Sequence, residues 1–245
     1  MNRDDESRAY YDAFSLHYDD ERGGRRRGGY HDLLDDLEVD LVERWARGKE
    51  LLEVGCGTGL LLERFAAFTA RARGVDLSPG MLSHARARGL DVREGSATDL
   101  PFADASFDVV CSFKVLAHVE EIDRAIAEMF RVTRPGGLVI AELYNRASLR
   151  AVAKQIAGAR AIAEGKDESS VYVRLDSVEE MRARFPRDAE LVAERGIRIV
   201  TPAALVLRIP VVKALVRRAE IALAATPLKR FGGFYALVYR KAHAA

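Results

Sequence analysis

Leu51-Leu52-Glu53-Val54 runs directly into Gly55-Cys56-Gly57-Thr58-Gly59, and Leu60, Leu61, Leu62, Phe65 and Phe68 follow as a buried helix would. A buried strand, a turn of three alternating glycines and a buried helix together leave such a chain few folds. Glycine has no Cβ, so a ligand can approach the backbone of this turn closely while amide N–H groups at the helix start face an anion. A dinucleotide site spaces its glycines G-x-G-x-x-G, whereas this turn reads G-x-G-x-G, a compressed form. Read alone, the turn does not choose its ligand.

The flanking sequence repeats the strand and helix alternation. Ala72 to Asp76 reads as a strand, Ser78 to Arg88 as a helix opened by a serine cap and Pro79, and Leu90 to Glu94 as a third strand. Phe107 to Phe113 is a fourth strand, Glu121 to Val132 a helix, Arg134-Pro135-Gly136-Gly137 a turn and Leu138 to Tyr144 a fifth strand. This order predicts a parallel sheet covered by helices on both faces.

Upstream, Tyr11, Phe14 and Tyr18 share one face of a helix over residues 7–20. The segment Arg22 to Gly29 pairs glycine with charge and reads as a polar loop, and apolar positions from Leu33 to Trp45 give a second helix. Downstream, Ala147 to Glu164 is alanine-rich and helical in pattern, Ser177 opens a helix with Glu180 in capping-box position, Leu191 to Val200 is a strand, and Gly233 to Tyr239 is the final strand. Between those strands lies the apolar stretch 203–216, which reads as a lid, an extra core helix or an amphipathic surface helix, with Pro210 breaking any long one. The chain is read as a single domain, 1–245, with a helical cap over 1–45, a core over 46–145 and a substrate side over 146–245 that holds a helical insertion at about 203–230.

Of the 245 residues 49% are hydrophobic and 31% charged, with a net charge of +1, which suits a globular protein with a substantial core. So small a net charge supplies no field to gather phosphate backbones, and nucleic acid is not an expected partner. The charged start Met1 to Glu6 lacks the apolar centre of a secretory signal, and no apolar run approaches the roughly 20 residues of a membrane helix. A cytoplasmic protein is expected. Cys56 and Cys111 lack metal-ligand spacing, so they read as packing residues of a reduced compartment, with no metal.

Asp76, closing the strand after the glycine turn, suits a carboxylate that accepts hydrogen bonds from both hydroxyls of a ribose; its bland role is to flank the next helix. Glu53, just before the turn, would attract the ammonium of an amino acid moiety or serve as a capping carboxylate.

These segments resemble the ubiquinone/menaquinone and sterol methyltransferase branch of the class I S-adenosylmethionine-dependent methyltransferases, over about residues 7–145. The resemblance rests on Glu53-x-Gly55-x-Gly57-x-Gly59, Gly74-Val75-Asp76-Leu77-Ser78-Pro79-Gly80-Met81-Leu82, Gly95-Ser96-Ala97-Thr98-Asp99-Leu100-Pro101-Phe102 with Ser106-Phe107-Asp108, and Arg134-Pro135-Gly136-Gly137. It implies a doubly wound, seven-stranded, mostly parallel sheet of the Rossmann-like methyltransferase fold, with an antiparallel last strand, an N-terminal helical cap and a C-terminal helical insertion. S-adenosyl-L-methionine is the implied cofactor. Gly55, Cys56, Gly57 and Gly59 would form its loop, with Glu53, Asp76, Leu77 and Met81 around them. Ser96 and Ala97 would lie on the adenine side, and Ser112 and Phe113 beside the methionine part. The family commonly has an aspartate for the adenine amino group where this chain has Ser96; the serine hydroxyl or Asp99 would substitute, and Ala97 still offers its N–H. Tyr11 or Tyr18 on the aromatic helix would reach the methionine carboxylate.

Transfer from a sulfonium is an in-line displacement that mainly requires alignment and exclusion of water. An oxygen or nitrogen acceptor adds the need for a base, for which His17, His118 and Tyr144 are available. His118 is the one catalytic candidate, its alternative being local hydrogen bonding. The expected activity is methyl transfer to a small, apolar acceptor at an oxygen, carbon or nitrogen atom. The alternatives are a catalytically silent cofactor-binding regulator, and a nucleic-acid methyltransferase that uses Arg22 to Arg27. The compressed glycine spacing and Leu100-Pro101-Phe102 oppose a nicotinamide-dependent oxidoreductase.

Overall fold

The structure, a computed structural model, describes residues 3–22, 29–148, 172–201 and 210–243. Two helices, α1 (Arg3–Glu21) and α2 (Tyr30–Ala46), precede a run of alternating elements: β1 (Glu50–Val54), α3 (Leu60–Ala66), β2 (Arg71–Asp76), α4 (Pro79–Ala87) and β3 (Asp91–Glu94). The chain then returns through β4 (Phe107–Ser112), a short 3-10 turn (Leu116–His118), α5 (Ile122–Val132) and β5 (Thr133–Tyr144). Helix α6 (Val178–Ala183), β6 (Glu190–Ile197), α7 (Pro210–Leu223), a second 3-10 turn (Pro227–Phe231) and β7 (Phe234–Arg240) follow.

The seven strands lie in the order β3-β2-β1-β4-β5-β7-β6. The five from β3 to β5 pair in parallel, and β7 runs antiparallel to both β5 and β6. This is the expected doubly wound sheet with its antiparallel last strand. The chain steps outward from β1 to β3 and restarts at β4 beside β1, so a crevice opens where β1 and β4 end, the usual ligand position in such sheets.

Both faces of the sheet are dry. Leu52, Val54 and Val110 join Ile122, Ile126 and Met129 of α5 on one face. Leu51, Val109 and Cys111 join Leu34, Leu41 and Val42 of α2 and Leu62 and Phe65 of α3 on the other. Burial on both sides explains why these strands read as apolar runs rather than alternating patterns. The two cap signals hold: Ser78 Oγ accepts from Met81 N–H at 3.0 Å, and Ser177 and Glu180 form a reciprocal capping box.

One expectation is corrected. The turn at Arg134 to Gly137 lies inside β5, because Gly136 (φ 74°) donates its N–H to the Lys241 carbonyl at 3.0 Å and Lys241 donates back to Gly137 at 2.9 Å. The glycines serve a bend within the strand rather than its start. Pro210 is the first described residue of α7, in keeping with a proline that no long helix runs through. The helix expected from Ala147 to Glu164, most of the arginine-glycine loop and residues 203–209 lie outside the described residues. Among the described residues no helix is long and apolar enough to cross a membrane.

Helix α7 is fixed by one carboxylate. Glu220 is fully buried; Oε2 accepts from Ile199 N–H at 2.9 Å, while Oε1 accepts from the N–H groups of Val200 and Thr201 and the Thr201 hydroxyl at 2.9, 2.8 and 2.6 Å. Glu220→Ala leaves buried donors without an acceptor and is expected to cost about 3 kcal/mol, read from the urea midpoint. An unchanged midpoint would contradict this role.

Candidate functional site

The site forms where the loops after β1, β2 and β4 meet. Gly55 and Cys56 both donate their N–H groups to the Val75 carbonyl, at 2.7 and 3.0 Å, which folds the first loop across the end of β2. Gly55, Gly57 and Gly59 all adopt left-handed backbone, with φ of 76°, 54° and 84°. They differ in what surrounds them. A Cβ on Gly55 would meet Val115 Cγ2 at 2.3 Å and one on Gly59 would meet Leu90 Cδ1 at 2.4 Å, but nothing of the chain lies within 4 Å of one on Gly57. Gly55 and Gly59 are packing glycines, whereas Gly57 leaves open space.

Asp76 links the first two loops. Its Oδ2 accepts from Gly57 N–H at 2.8 Å and its Oδ1 from Ser78 N–H at 2.9 Å. Burial raises its pKa, and the N–H groups pull against that rise. Three backbone N–H groups, of Ser78, Gly57 and Leu77, thus bear on a carboxylate with about four acceptor sites, which leaves acceptor capacity for a ligand donor.

A cavity opens beside this carboxylate. Leu77 and Met81 flank it, and Ser96, Ala97 and Phe113 form other parts of the wall along with Glu53 and Cys56. Ser7, Tyr11 and Tyr18 of α1 close it. The helix is held in place by Asp12, whose Oδ1 accepts from Ser78 Oγ at 2.5 Å and Gly80 N–H at 2.9 Å, and by Asp19, which accepts from Thr58 Oγ1 at 2.7 Å and pairs with Arg88.

Most residues expected at the site thus share one cavity. Gly59 and Ser112 do not line it: Gly59 precedes α3, and the Ser112 hydroxyl donates to the Val54 carbonyl at 2.9 Å behind the wall. The Ser96 hydroxyl lies within 2.9 Å of Thr98 Oγ1 and accepts from Thr98 N–H. His17 is exposed. The Cys56 thiol has its pKa pushed up by burial, which suits a packing residue.

The inner end of the cavity carries buried charge that the sequence reading missed. Lys114, left-handed at φ 60°, places its ammonium 3.0 Å from Asp35 Oδ1 and 2.8 Å from the Glu38 carboxylate, both on α2. Arg22 donates to the same Asp35 oxygen at 2.6 Å. Burial opposes ionisation of Asp35, but Lys114 and Arg22 outweigh it and hold the carboxyl below its ordinary range. Glu53, 3% exposed, has no hydrogen-bond partner for Oε2 among the described residues, and burial pushes its pKa well up. The signal for this cluster lay in α2, where Asp35 and Glu38 stand beside Leu34, Leu41 and Val42 on a stripe that would otherwise be wholly apolar. Carboxylates on a core-facing stripe need buried partners.

His118 forms another part of the wall. Its Nδ1 lies 2.9 Å from the Tyr172 carbonyl and its Nε2 is 3.4 Å from the Tyr144 hydroxyl.

Comparison with known proteins agrees with this architecture. Residues 52–141 match the family described as a methyltransferase domain. The demethylmenaquinone methyltransferase of Renibacterium salmoninarum is 40% identical over 126 residues, covering 46% of this chain and 53% of that protein. The ubiquinone biosynthesis O-methyltransferase of Methylococcus capsulatus is 34% identical over 155 residues, covering 59% of this chain and 63% of that protein. The matched region is thus about half the length of such curated relatives. A Haloferax volcanii chain solved in complex with the Trm112 methyltransferase activator shares the fold, with a TM-score of 0.67 at 21% identity over 97% of this chain and 98% of its own.

The charged cluster makes stability sensitive to pH. Burial, then Arg22 and Lys114, lower the His31 pKa to about 4, so between about 4 and the unfolded value of 6.5 the unfolded chain binds more protons. Stability therefore falls as pH drops through that window, by roughly 1 kcal/mol after allowing for partial exposure. His31→Gln should flatten the dependence of the urea midpoint between pH 7 and 5; equal losses in both proteins would rule out this source.

Proposed function

We propose that this chain, whose residues 52–141 match the methyltransferase-domain family, is an S-adenosylmethionine-dependent methyltransferase that acts on a small, apolar acceptor. The observation that carries the reading is Asp76, recessed at the end of β2 and bonded to the Gly57 N–H, beside an open space at Gly57 that a Cβ would enter. A carboxylate with spare lone pairs next to such a cradle fits a ribose, and the orphaned Glu53 Oε2 fits an ammonium.

The residues suit each part of the cofactor. Asp76 would take the ribose hydroxyls between Leu77 and Met81, with Ser96 and Ala97 on the adenine side. Glu53 would take the ammonium of the methionine part, with Phe113 beside it. Tyr18, Arg22 and Lys114 offer donors to its carboxylate from the same wall. When bound, the cofactor supplies an electrophilic methyl on a sulfonium whose sulfur keeps the bonding pair as the methyl leaves. The chain's own work is to bind, orient and exclude water, and α1, tied down through Asp12 and Asp19, covers the site for that purpose.

The apolar part of the walls supports an apolar acceptor. Beyond the polar anchors the lining is Leu60, Leu61, Val115, Val119 and the rings of Tyr11 and Phe113, which suit an apolar molecule. The curated relatives named for menaquinone and ubiquinone biosynthesis support a small-molecule acceptor over a nucleic acid. Incubation of the protein with labelled S-adenosylmethionine and a metabolite extract, followed by mass spectrometry, is expected to yield a labelled small molecule. Label found only in RNA or protein, or none at all, would count against the reading.

Two glycine variants separate strain from obstruction. Gly57 and Gly89 are both left-handed with open space around a Cβ, so each alanine replacement should cost about 1 kcal/mol of stability. Only Gly57→Ala is expected to weaken S-adenosylhomocysteine binding, by about tenfold or more, equivalent to about 1.4 kcal/mol, in a calorimetric titration. Equal affinity in the two variants would place the cofactor elsewhere.

A further inference from the structure

A strap of chain, residues 172–176, is bonded to the loop behind the cavity wall and fixes His118 in one chemical form. Arg174 N–H donates to the Ala117 carbonyl at 2.8 Å, its guanidinium donates to the Glu120 carbonyl at 3.1 Å, and Asp176 N–H donates to the Tyr144 carbonyl at 3.1 Å. Residues 172–176 are thereby bonded both to the loop that carries His118 and to the end of β5. The same strap sets the Tyr172 carbonyl 2.9 Å from His118 Nδ1. A carbonyl oxygen only accepts, so Nδ1 must carry the proton.

We infer that His118, held by the Tyr172 carbonyl with Nδ1 protonated, presents a bare Nε2 to the cavity and takes the proton of a hydroxyl acceptor. This deepens the methyltransferase reading and rests on it. The ring is half-buried in the wall, and Nε2 lies 3.4 Å from the Tyr144 hydroxyl, a distance too long for that phenol to hold the lone pair strongly. Burial holds the imidazole below its ordinary pKa, so it is neutral at pH 7. The groups that face it are Tyr144 from β5 and the Tyr172 carbonyl from the strap, and Tyr11 and Tyr18 of α1 line the same cavity.

The step balances. The hydroxyl oxygen forms the new bond to the methyl carbon, the carbon–sulfur pair stays on sulfur, and the hydroxyl proton passes to Nε2 to leave an imidazolium that returns it to water. The positive charge lost from the sulfonium thus leaves as a proton. Tyr172 acts through His118 and is a positioning residue, whereas His118 touches the acceptor itself.

The test reads the ring directly. The full chain is labelled with 15N-histidine, and the His118 signals are assigned by their absence in His118→Asn. At pH 7 the spectrum is expected to show Nδ1 protonated and Nε2 bare, with an acid midpoint below about 6.5. Phenol added to the S-adenosylhomocysteine complex is expected to shift the Nε2 signal, while anisole, which has no hydroxyl proton, leaves it in place. A proton on Nε2, a charged ring at pH 7, or equal responses to phenol and anisole would overturn the inference. If the protein does not bind S-adenosylhomocysteine, the methyltransferase reading itself fails, whatever tautomer is found.

Discussion

The site depends on one buried carboxylate that serves two loops at once. Asp76 accepts the N–H of Gly57 from the loop after β1 and of Ser78 from the loop after β2, and it does so at the end of β2, next to the strand β1 that borders the crevice where strand order reverses. Ser78 carries the chain of bonds further, since its hydroxyl caps α4 and donates to Asp12 of α1. Floor, rim and cover of the cavity are therefore linked through three polar side chains. Hydrogen bonds arranged in such a chain polarise one another, and removing one member leaves the others underpaired.

The opposite end of the cavity is governed by a different balance. Burying Arg22, Lys114, Asp35 and Glu38 together costs several kcal/mol per ion before pairing offsets it. The pairing is short and mutual, and it explains why Lys114 tolerates a left-handed backbone that glycine would adopt more easily: its ammonium is held between Asp35 and Glu38. A charged pocket end beside an apolar wall suits a ligand with a zwitterionic head and a transferable methyl group nearby.

Much of this was legible in the sequence, because the elements that build the sheet are local. The glycine turn, the Ser78 cap, the Ser177 and Glu180 capping box and the apolar strands each signal themselves within a few residues; their alternation implies a parallel sheet, whereas its seven strands and antiparallel last strand were implied by the family resemblance. The residues that escaped are those whose meaning is set by distant partners. Lys114 reads as an ordinary surface lysine until α2 brings Asp35 and Glu38 against it, and Tyr172 reaches His118 through a backbone carbonyl, which no side-chain pattern encodes. The turn expected at Gly136 failed for a similar reason, since its partner is Lys241 at the far end of the chain. Ser112 and Gly59 lay next in sequence to site residues, yet alternation along β4 and the turn into α3 set both behind the wall.

The central claim is that the compressed glycine turn and Asp76 hold S-adenosylmethionine rather than a dinucleotide. Competition calorimetry on the intact chain tests it most directly, with S-adenosylhomocysteine titrated in the presence and absence of NAD. The account predicts saturable, one-to-one binding of S-adenosylhomocysteine that NAD leaves unchanged and that Asp76→Ala abolishes. Binding of NAD that displaces S-adenosylhomocysteine, or unchanged binding in Asp76→Ala, would contradict it.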